Sequence, residues 1–547
     1  MFLPAAGAEI KALGWERPDV ILVSGDTYID SPYSGIAVIG KYLMSKGFKT
    51  AVIAQPDISS GEDIMSLGEP ALFWGVSGGS VDSMAANFTA SLKRRKLSDD
   101  FTPGAVNDRR PDNAVIVYSN LIRKYFKNTV PIVIGGLEAS LRRVAHYDYL
   151  KDKIKRSILF DAKADYLVYG MGEKSALALA RSLKKGGTRE ETAGKIKGIC
   201  YISGSPPEGY AVLPSFEEVK TDKDKFTEMF KMFYGAASKG LAQKQDTRYL
   251  VQNPAEDYSP EDLDEIYGLD FEREAHPHYL KQGEINAVDT IRTSITTHRG
   301  CFGGCNFCAI SAHQGKKIIS RSEDSITAEA EKIAGKKGFG GIISDVGGPT
   351  ANMYGMDSEK NHKRLIRLLR RLRGVKGVKK VYVGSGVRYD LVVNDKEYGK
   401  EYLKEMVEHH ISGQLKTAPE HMSEKVLKLM GKPPNKYLTE FKKEFDELSK
   451  GRKQFLTYYF IAAHPGSGLE DEKHTRDYTV KELKVSPEQV QIFTPTPSTY
   501  STLMYYTEKN PFTGERLHVQ KNIGKKQAHK NILTGKREDE DKYRGQD

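Results

Sequence analysis

The sequence predicts an α/β protein in which an N-terminal doubly wound domain is followed by a partial (β/α)6 barrel. Three observations carry this expectation. Two separate series of short apolar runs alternate with stretches of helical spacing, a charged and irregular segment lies between the series, and three of only four cysteines fall within eight positions at the head of the second series. A chain of 547 residues also exceeds one ordinary core, so two or three compact units are expected.

The first series begins with an apolar strand at residues 19–24, continues with helical spacing over 35–46 and returns to strand at 50–54. That is a βαβ unit, and hence a parallel sheet. Further strands are expected at 114–118, at 130–134 before Gly135-Gly136, and at 165–169 before a helix over 173–183, so residues 1–205 read as the doubly wound domain. Residues 206–286 turn charged and rich in Pro and Gly, and are expected to be a connecting segment. The second series spans 287–520, with strands at 293–297, 341–345, 378–385, 413–417, 455–461 and 490–494. A partial barrel of this kind places its chemistry at the strand C-termini. Residues 521–547 have few apolar positions and are expected to be a disordered tail.

Composition narrows the class. With 39% hydrophobic and 28% charged residues and no long apolar run, nothing in the chain asks for a membrane. The first residues lack the basic start and apolar stretch of a secretory peptide, so a cytoplasmic protein is expected. A net charge of +11 admits a nucleic-acid partner, but much of the excess sits in mixed-sign stretches such as 362–380, and a solvated surface is the favoured reading. Four cysteines are too few for a disulfide framework, and Cys200, in Gly198-Ile199-Cys200-Tyr201, reads as a small buried hydrophobe.

The other three carry the chemistry. Cys301-Phe302-Gly303-Gly304-Cys305-Asn306-Phe307-Cys308 directly follows the first barrel strand, which puts three thiols on one loop at the top of the barrel. Three thiolates suit a [4Fe-4S] cluster with one iron left open, and an amine and a carboxylate can chelate that iron, as S-adenosylmethionine (SAM) would. Gly300, Gly303 and Gly304 let backbone approach the cluster, and Phe307 can shield it from water. The competing reading is structural zinc, which needs a fourth ligand from His298 or His313 and lacks the usual second cysteine pair.

The loop resembles the C-x3-C-x-aromatic-C signature of the radical SAM superfamily. The surrounding sequence is similar to the YgiQ family within it, at Val23-Ser24-Gly25-Asp26-Thr27-Tyr28-Ile29-Asp30, at Ile134-Gly135-Gly136-Leu137-Glu138-Ala139-Ser140-Leu141-Arg142-Arg143 and at Ser320-Arg321-Ser322-Glu323-Asp324-Ser325-Ile326. The resemblance covers nearly the whole chain. It implies a SAM radical enzyme with an N-terminal domain similar to cobalamin-binding folds, an external electron donor of the flavodoxin or ferredoxin kind, and no known reaction.

The resemblance also suggests where SAM sits. Gly347-Gly348-Pro349 resembles the superfamily's Gly-Gly-Glu motif, whose backbone carbonyls receive the SAM amino group; Pro349 replaces the acid, and the same residues also spell a plain turn. Ser385 and Arg388 close the third strand and can hold the methionyl end or the ribose, the alternative being a salt bridge from Arg388 to Asp390 at a helix start. Glu420 closes the fourth strand, where similar enzymes touch the ribose, and it can equally cap the helix after Ser423. No catalytic residue is assigned. Cobalamin-binding domains carry Asp-x-His-x-x-Gly after the first strand, whereas this chain has Asp30-Ser31-Pro32-Tyr33-Ser34-Gly35, so cobalamin is not expected; the nearby His146 reads as structural.

The expected function is therefore reductive cleavage of SAM to a 5′-deoxyadenosyl radical that abstracts hydrogen from an unidentified substrate. The alternative is a non-catalytic iron-sulfur or redox-sensing protein. RNA methylthiolation is argued against, because it needs three further cysteines and only Cys200 is left.

Overall fold

A computed structural model describes residues 1–95, 99–235 and 239–536. It divides into two compact units, one of Met1–Arg292 with Ala312–Gln314, the other of Thr293–Ser311 with the chain from Gly315 onward. Among the described residues no helix is long and apolar enough to cross a membrane.

The first unit is built on one nine-stranded sheet. Its strands are β1 (Val20–Ser24), β2 (Thr50–Ala54), β3 (Phe73–Ser77), β4 (Ile132–Gly135), β5 (Tyr166–Val168), β6 (Ile199–Ser203), β7 (Ala211–Leu213), β8 (Leu241–Gln245) and β9 (Arg248–Gln252). The order is β2-β1-β3-β4-β5-β6-β9-β8-β7. The first five strands run parallel, β6 reverses against β5, and β8 and β9 form an antiparallel hairpin. Every residue of β1 and β2 is buried, which is why they read as unbroken apolar runs and not as alternating patterns. The strand order reverses between β1 and β3, and in doubly wound sheets the ligand crevice lies at such a switch point, beyond the strand carboxyl ends.

Three expectations are corrected here. The apolar run at 114–118 is the start of the helix Ala114–Tyr125, whose buried residues Ala114, Val115, Tyr118, Leu121 and Ile122 follow helical spacing, and the strand's place in the sheet is taken by β3. A five-residue apolar run fits either element, and its continuation decides. Residues 206–286 contribute β7, β8 and β9 to the same sheet and so belong to the first unit. Strand β8 is polar yet largely buried, because the amide oxygens of Gln243 and Gln245 accept from the backbone N–H of Ala145 and Ser157, each at 2.9 Å. Finally, the tail expected over 521–547 forms the helix Ile523–Thr534 with Lys526, His529 and Leu533 buried, while 537–547 lie outside the described residues.

The second unit is the partial barrel. Its strands are β10 (Ser294–Thr296), β11 (Ile342–Ile343), β12 (Asp345–Gly347), β13 (Lys380–Val381), β14 (Gln414–Glu420), β15 (Phe455–Ala462) and β16 (Gln489–Ile492). Parallel pairing links β10 to β12, β11 to β13, and β14 through β15 to β16, and a parallel bridge between Val387 and Thr417 joins the third strand position to the fourth. Helices such as Glu323–Ala334, Lys363–Arg373 and Asn435–Leu448 pack apolar faces onto a core that includes Ile295, Val346, Leu369, Leu415 and Phe460.

Candidate cofactor site

The loop from Cys301 to Cys308 leaves the barrel after β10 and is held by other parts of the same unit. The backbone N–H of Asn306 donates to Met430 O at 2.8 Å, its side-chain amide donates to Leu429 O at 2.9 Å, and its carbonyl accepts from Ser501 N at 2.9 Å. Asn306 thus ties the middle of the loop to the end of the helix Glu424–Met430, a role that its type and position did not announce. All three thiols are partly exposed and none is in a disulfide. Burial pushes the Cys308 thiol up to about 11, with the thiols of Cys305 and Cys301 and the Glu420 carboxyl adding to it. Among the described residues no group of three or more His, Cys, Asp or Glu side chains is gathered closely enough to hold a single metal ion.

The donor set nevertheless fits an iron-sulfur cluster. Gly303 N–H donates to Cys301 Sγ at 3.4 Å, and the Arg388 guanidinium reaches Cys305 Sγ at 3.8 Å and Gly303 O at 3.2 Å. Donors and positive charge beside the sulfurs offset the negative charge of a thiolate-bound cluster. Gly303 is required for this approach, since a Cβ there would lie 2.6 Å from Arg388 Nη1 and 3.3 Å from Cys301 Sγ.

Arg388 occupies a different place from the free fork expected of it. Its Nε and Nη2 both bond Asp390, each at 2.7 Å, so the paired donors that would grip a carboxylate are already engaged, and the remaining nitrogen faces the cysteine loop. Both backbone groups of Arg388 are held by the buried Asn352, whose Oδ1 accepts at 2.8 Å and whose Nδ2 donates at 3.0 Å. Ser385 is turned toward β12, its hydroxyl and N–H both donating to Asp345.

Glu420 is the most unusual of the expected residues. It ends β14 beyond a register shift, in left-handed backbone at φ 70°, a conformation that disfavours a residue with a Cβ. Burial raises its carboxyl to about 7, opposed by the Lys432 charge. Strain and a desolvated acid at a strand C-terminus are features of functional positions.

At the glycine turn, Gly347 O accepts from Thr297 N at 2.7 Å and from Thr297 Oγ1 at 3.2 Å, and the ring of the fully buried His298 packs against Gly348. Sequence reasoning treated His298 only as a zinc ligand. The signal that singles it out is its adjacency to Thr297, which becomes meaningful only once β10 and β12 pair.

Comparison with known proteins matches residues 2–294 to the Radical SAM N-terminal family model, 295–478 to the Radical SAM superfamily and 488–543 to a Domain of unknown function (DUF3362). The UPF0313 protein FN0734 of Fusobacterium nucleatum subsp. nucleatum is 52% identical, over 98% of this chain and 99% of that protein. A UPF0313 protein of Methanocella arvoryzae is 44% identical over 96% of this chain and 92% of its own length. Among solved structures, the radical S-adenosylmethionine methyltransferase TsrM from Kitasatospora setae, with cobalamin and a [4Fe-4S] cluster bound, matches with a TM-score of 0.54 at 15% identity, over 89% of this chain and 77% of that one. The cobalamin-dependent S-adenosylmethionine radical enzyme OxsB with aqua-cobalamin bound matches with a TM-score of 0.51 at 15% identity, over 90% of this chain and 56% of that one. These matches overturn the expectation that cobalamin is absent. The fold is that of proteins that carry cobalamin, so the missing histidine at residues 30–35 is no ground for excluding it.

Proposed function

We propose an activity for this chain from one premise: it belongs to the UPF0313 family of the radical SAM superfamily. It is a radical SAM enzyme. The reading that goes further is that a [4Fe-4S] cluster on Cys301, Cys305 and Cys308, when bound, supplies the electron that cleaves SAM to a 5′-deoxyadenosyl radical able to abstract hydrogen from a substrate. The observation that carries it is the cysteine loop itself, pinned by Asn306 and faced by Arg388 at the strand C-termini of the barrel.

The chain's own residues have distinct tasks in this reading. The Gly347-Gly348 turn receives the SAM amino group, and Glu420 accepts from the ribose hydroxyls. Ser385, with Asp345 behind it, bounds the methionyl end, and Arg388 stands between Asp390 and the Cys305 sulfur. An external flavodoxin- or ferredoxin-like protein delivers the electron. In the first unit we assign a corrinoid to the crest beyond β1 and β3, on the likeness to the cobalamin-bearing neighbours. Asp30 in the adjoining loop is paired with Lys41 at 2.8 Å and offers cobalt no nitrogen.

Anaerobically reconstituted protein given SAM and dithionite is expected to release 5′-deoxyadenosine. A reduced cluster that persists with SAM and releases none supports the redox-sensing alternative and ends the catalytic reading. Hydroxocobalamin is expected to co-elute with the protein at one per chain, and free passage through the column would remove the corrinoid.

A further inference from the structure

The Gly347-Gly348-Pro349 turn lacks the acidic side chain of the motif it resembles. Gly347 O already takes two hydrogen bonds from Thr297. One buried acceptor beside the turn remains free, namely Nε2 of His298, which has no hydrogen-bond partner among the described residues.

The state of that nitrogen follows from the network around it. The Thr297 hydroxyl has one proton, and donating it to Gly347 O leaves only an oxygen lone pair for His298 Nδ1, 2.9 Å away. In the tautomer that makes both contacts, Nδ1 carries the ring proton and Nε2 presents a bare lone pair. Burial lowers the ring's pKa to about 4, consistent with a neutral imidazole at physiological pH. The ring lies against the turn, since a Cβ on Gly348 would sit 2.5 Å from Cε1 and 2.8 Å from Nε2. An orphaned acceptor in the interior is unfavourable unless something supplies a donor.

We propose that His298 Nε2 accepts a hydrogen bond from an N–H of the α-amino group of SAM, whose lone pair is left for the iron, taking the place of the carboxylate that Pro349 removes from the turn. Thr297 sets the tautomer, and Gly348 provides the room for the ring. This rests on the SAM reading above and names the chain's own group that selects the amino end.

The test is the preference of full-length, cluster-loaded protein for SAM over its desamino analogue, each measured by anaerobic titration calorimetry without reductant. Wild type is expected to prefer SAM well over tenfold, since the analogue loses the iron-binding amine together with this hydrogen bond, which by itself accounts for about tenfold. His298→Phe keeps a planar ring without the acceptor. It should weaken SAM by about that factor and leave the analogue within about twofold, while His298→Gln, which offers an amide oxygen, should restore most of the preference. Thr297→Val keeps the imidazole but releases its tautomer, and should lower the preference even if the phenylalanine ring disturbs the turn. Equal weakening of both ligands by His298→Phe, or a preference unmoved in both His298→Phe and Thr297→Val, overturns the inference and leaves the SAM reading standing. Wild-type protein that binds no SAM overturns both.

Discussion

Two buried polar regions of the second unit invite comparison: the strand-end rim around His298 and Glu420, and the interior cluster of His421, Glu472 and His529. In the cluster one carboxylate oxygen of Glu472 is fully bonded, while the other, Oε2, makes no hydrogen bond among the described residues and has only an imidazole beside it. Oε1 accepts from Ala463 N at 2.9 Å, Ser467 Oγ at 2.9 Å and His529 Nδ1 at 3.0 Å, and Oε2 pairs with His421 Nε2 at 3.3 Å. Although burial works against the charge, the imidazoles of His421 and His529 hold the Glu472 carboxyl down to about 2. At the rim the signs are reversed. Glu420 is raised to about 7 by burial, and His298 keeps an unpartnered nitrogen. The two regions hold the same residue types in the same unit. What separates them is charge: two imidazoles of the fold hold the Glu472 carboxylate ionised, whereas burial pushes Glu420 toward the neutral acid and the opposing Lys432 charge does not reverse it.

The contrast can be broken most severely at the metal. Replacing Cys301, Cys305 or Cys308 by Ala is expected to take reconstituted protein from about four irons per chain to nearly none, as three protein thiolates leave no spare ligand. Cys200→Ala should keep the full iron content, since Cys200 is a buried residue of β6 whose thiol burial pushes up to about 12. Iron analysis that shows loss in Cys200→Ala alone would reassign the ligands.

Next in size is stability. Glu472→Ala strands two buried imidazoles and should lower unfolding stability by ~2–4 kcal/mol in a denaturant titration. Glu420→Gln removes a desolvated, strained acid and should leave stability at pH 8 unchanged or raise it by about 1 kcal/mol, while SAM affinity falls. If Glu420→Gln destabilises as much as Glu472→Ala, the two regions do not differ in kind.

A pH titration sharpens the same point. Glu472 has a folded pKa of about 2 against an ordinary 4.5, so its contribution is complete above the unfolded value and is lost as pH falls from 4.5 through 2. Glu472→Gln should flatten the acid limb of a stability curve over that interval, and an unchanged limb would place the acid sensitivity elsewhere.

The smallest expected effect is at Arg388. Because its fork already holds Asp390 and its third nitrogen faces Cys305, Arg388→Ala should move the cluster's reduction potential downward and change SAM affinity by less than about threefold. A larger loss of affinity, read by the SAM-induced change in the cluster's paramagnetic resonance spectrum, would return Arg388 to the SAM carboxylate.

How much of this was legible varied with the physics of each element. The βα alternation and β1 and β2 were readable because strands covered on both faces must be apolar throughout. Strand β8 was not, because its Gln243 and Gln245 are buried through hydrogen bonds, and hydrophobic patterning is blind to those. The helix Ile523–Thr534 was missed for a similar reason. It is held by Lys526 Nζ donating to Tyr505 OH at 3.0 Å and by His529 on Glu472 as much as by Leu533, and such residues read as solvated tail.

The sequence by itself determined the cysteine loop and the family. The thiol spacing is covalent and local, so the three sulfurs are confined to one loop whatever the rest of the chain does. Only the tertiary structure decided which donors and acceptors around that loop are spent and which are free. Asp390 takes the Arg388 fork, Thr297 takes the Gly347 carbonyl, and Nε2 of His298 is left over. Satisfaction of a polar group depends on what packs within about 3 Å of it. For Thr297 and Gly347 that neighbour is 50 positions away in sequence, brought close by the pairing of β10 with β12.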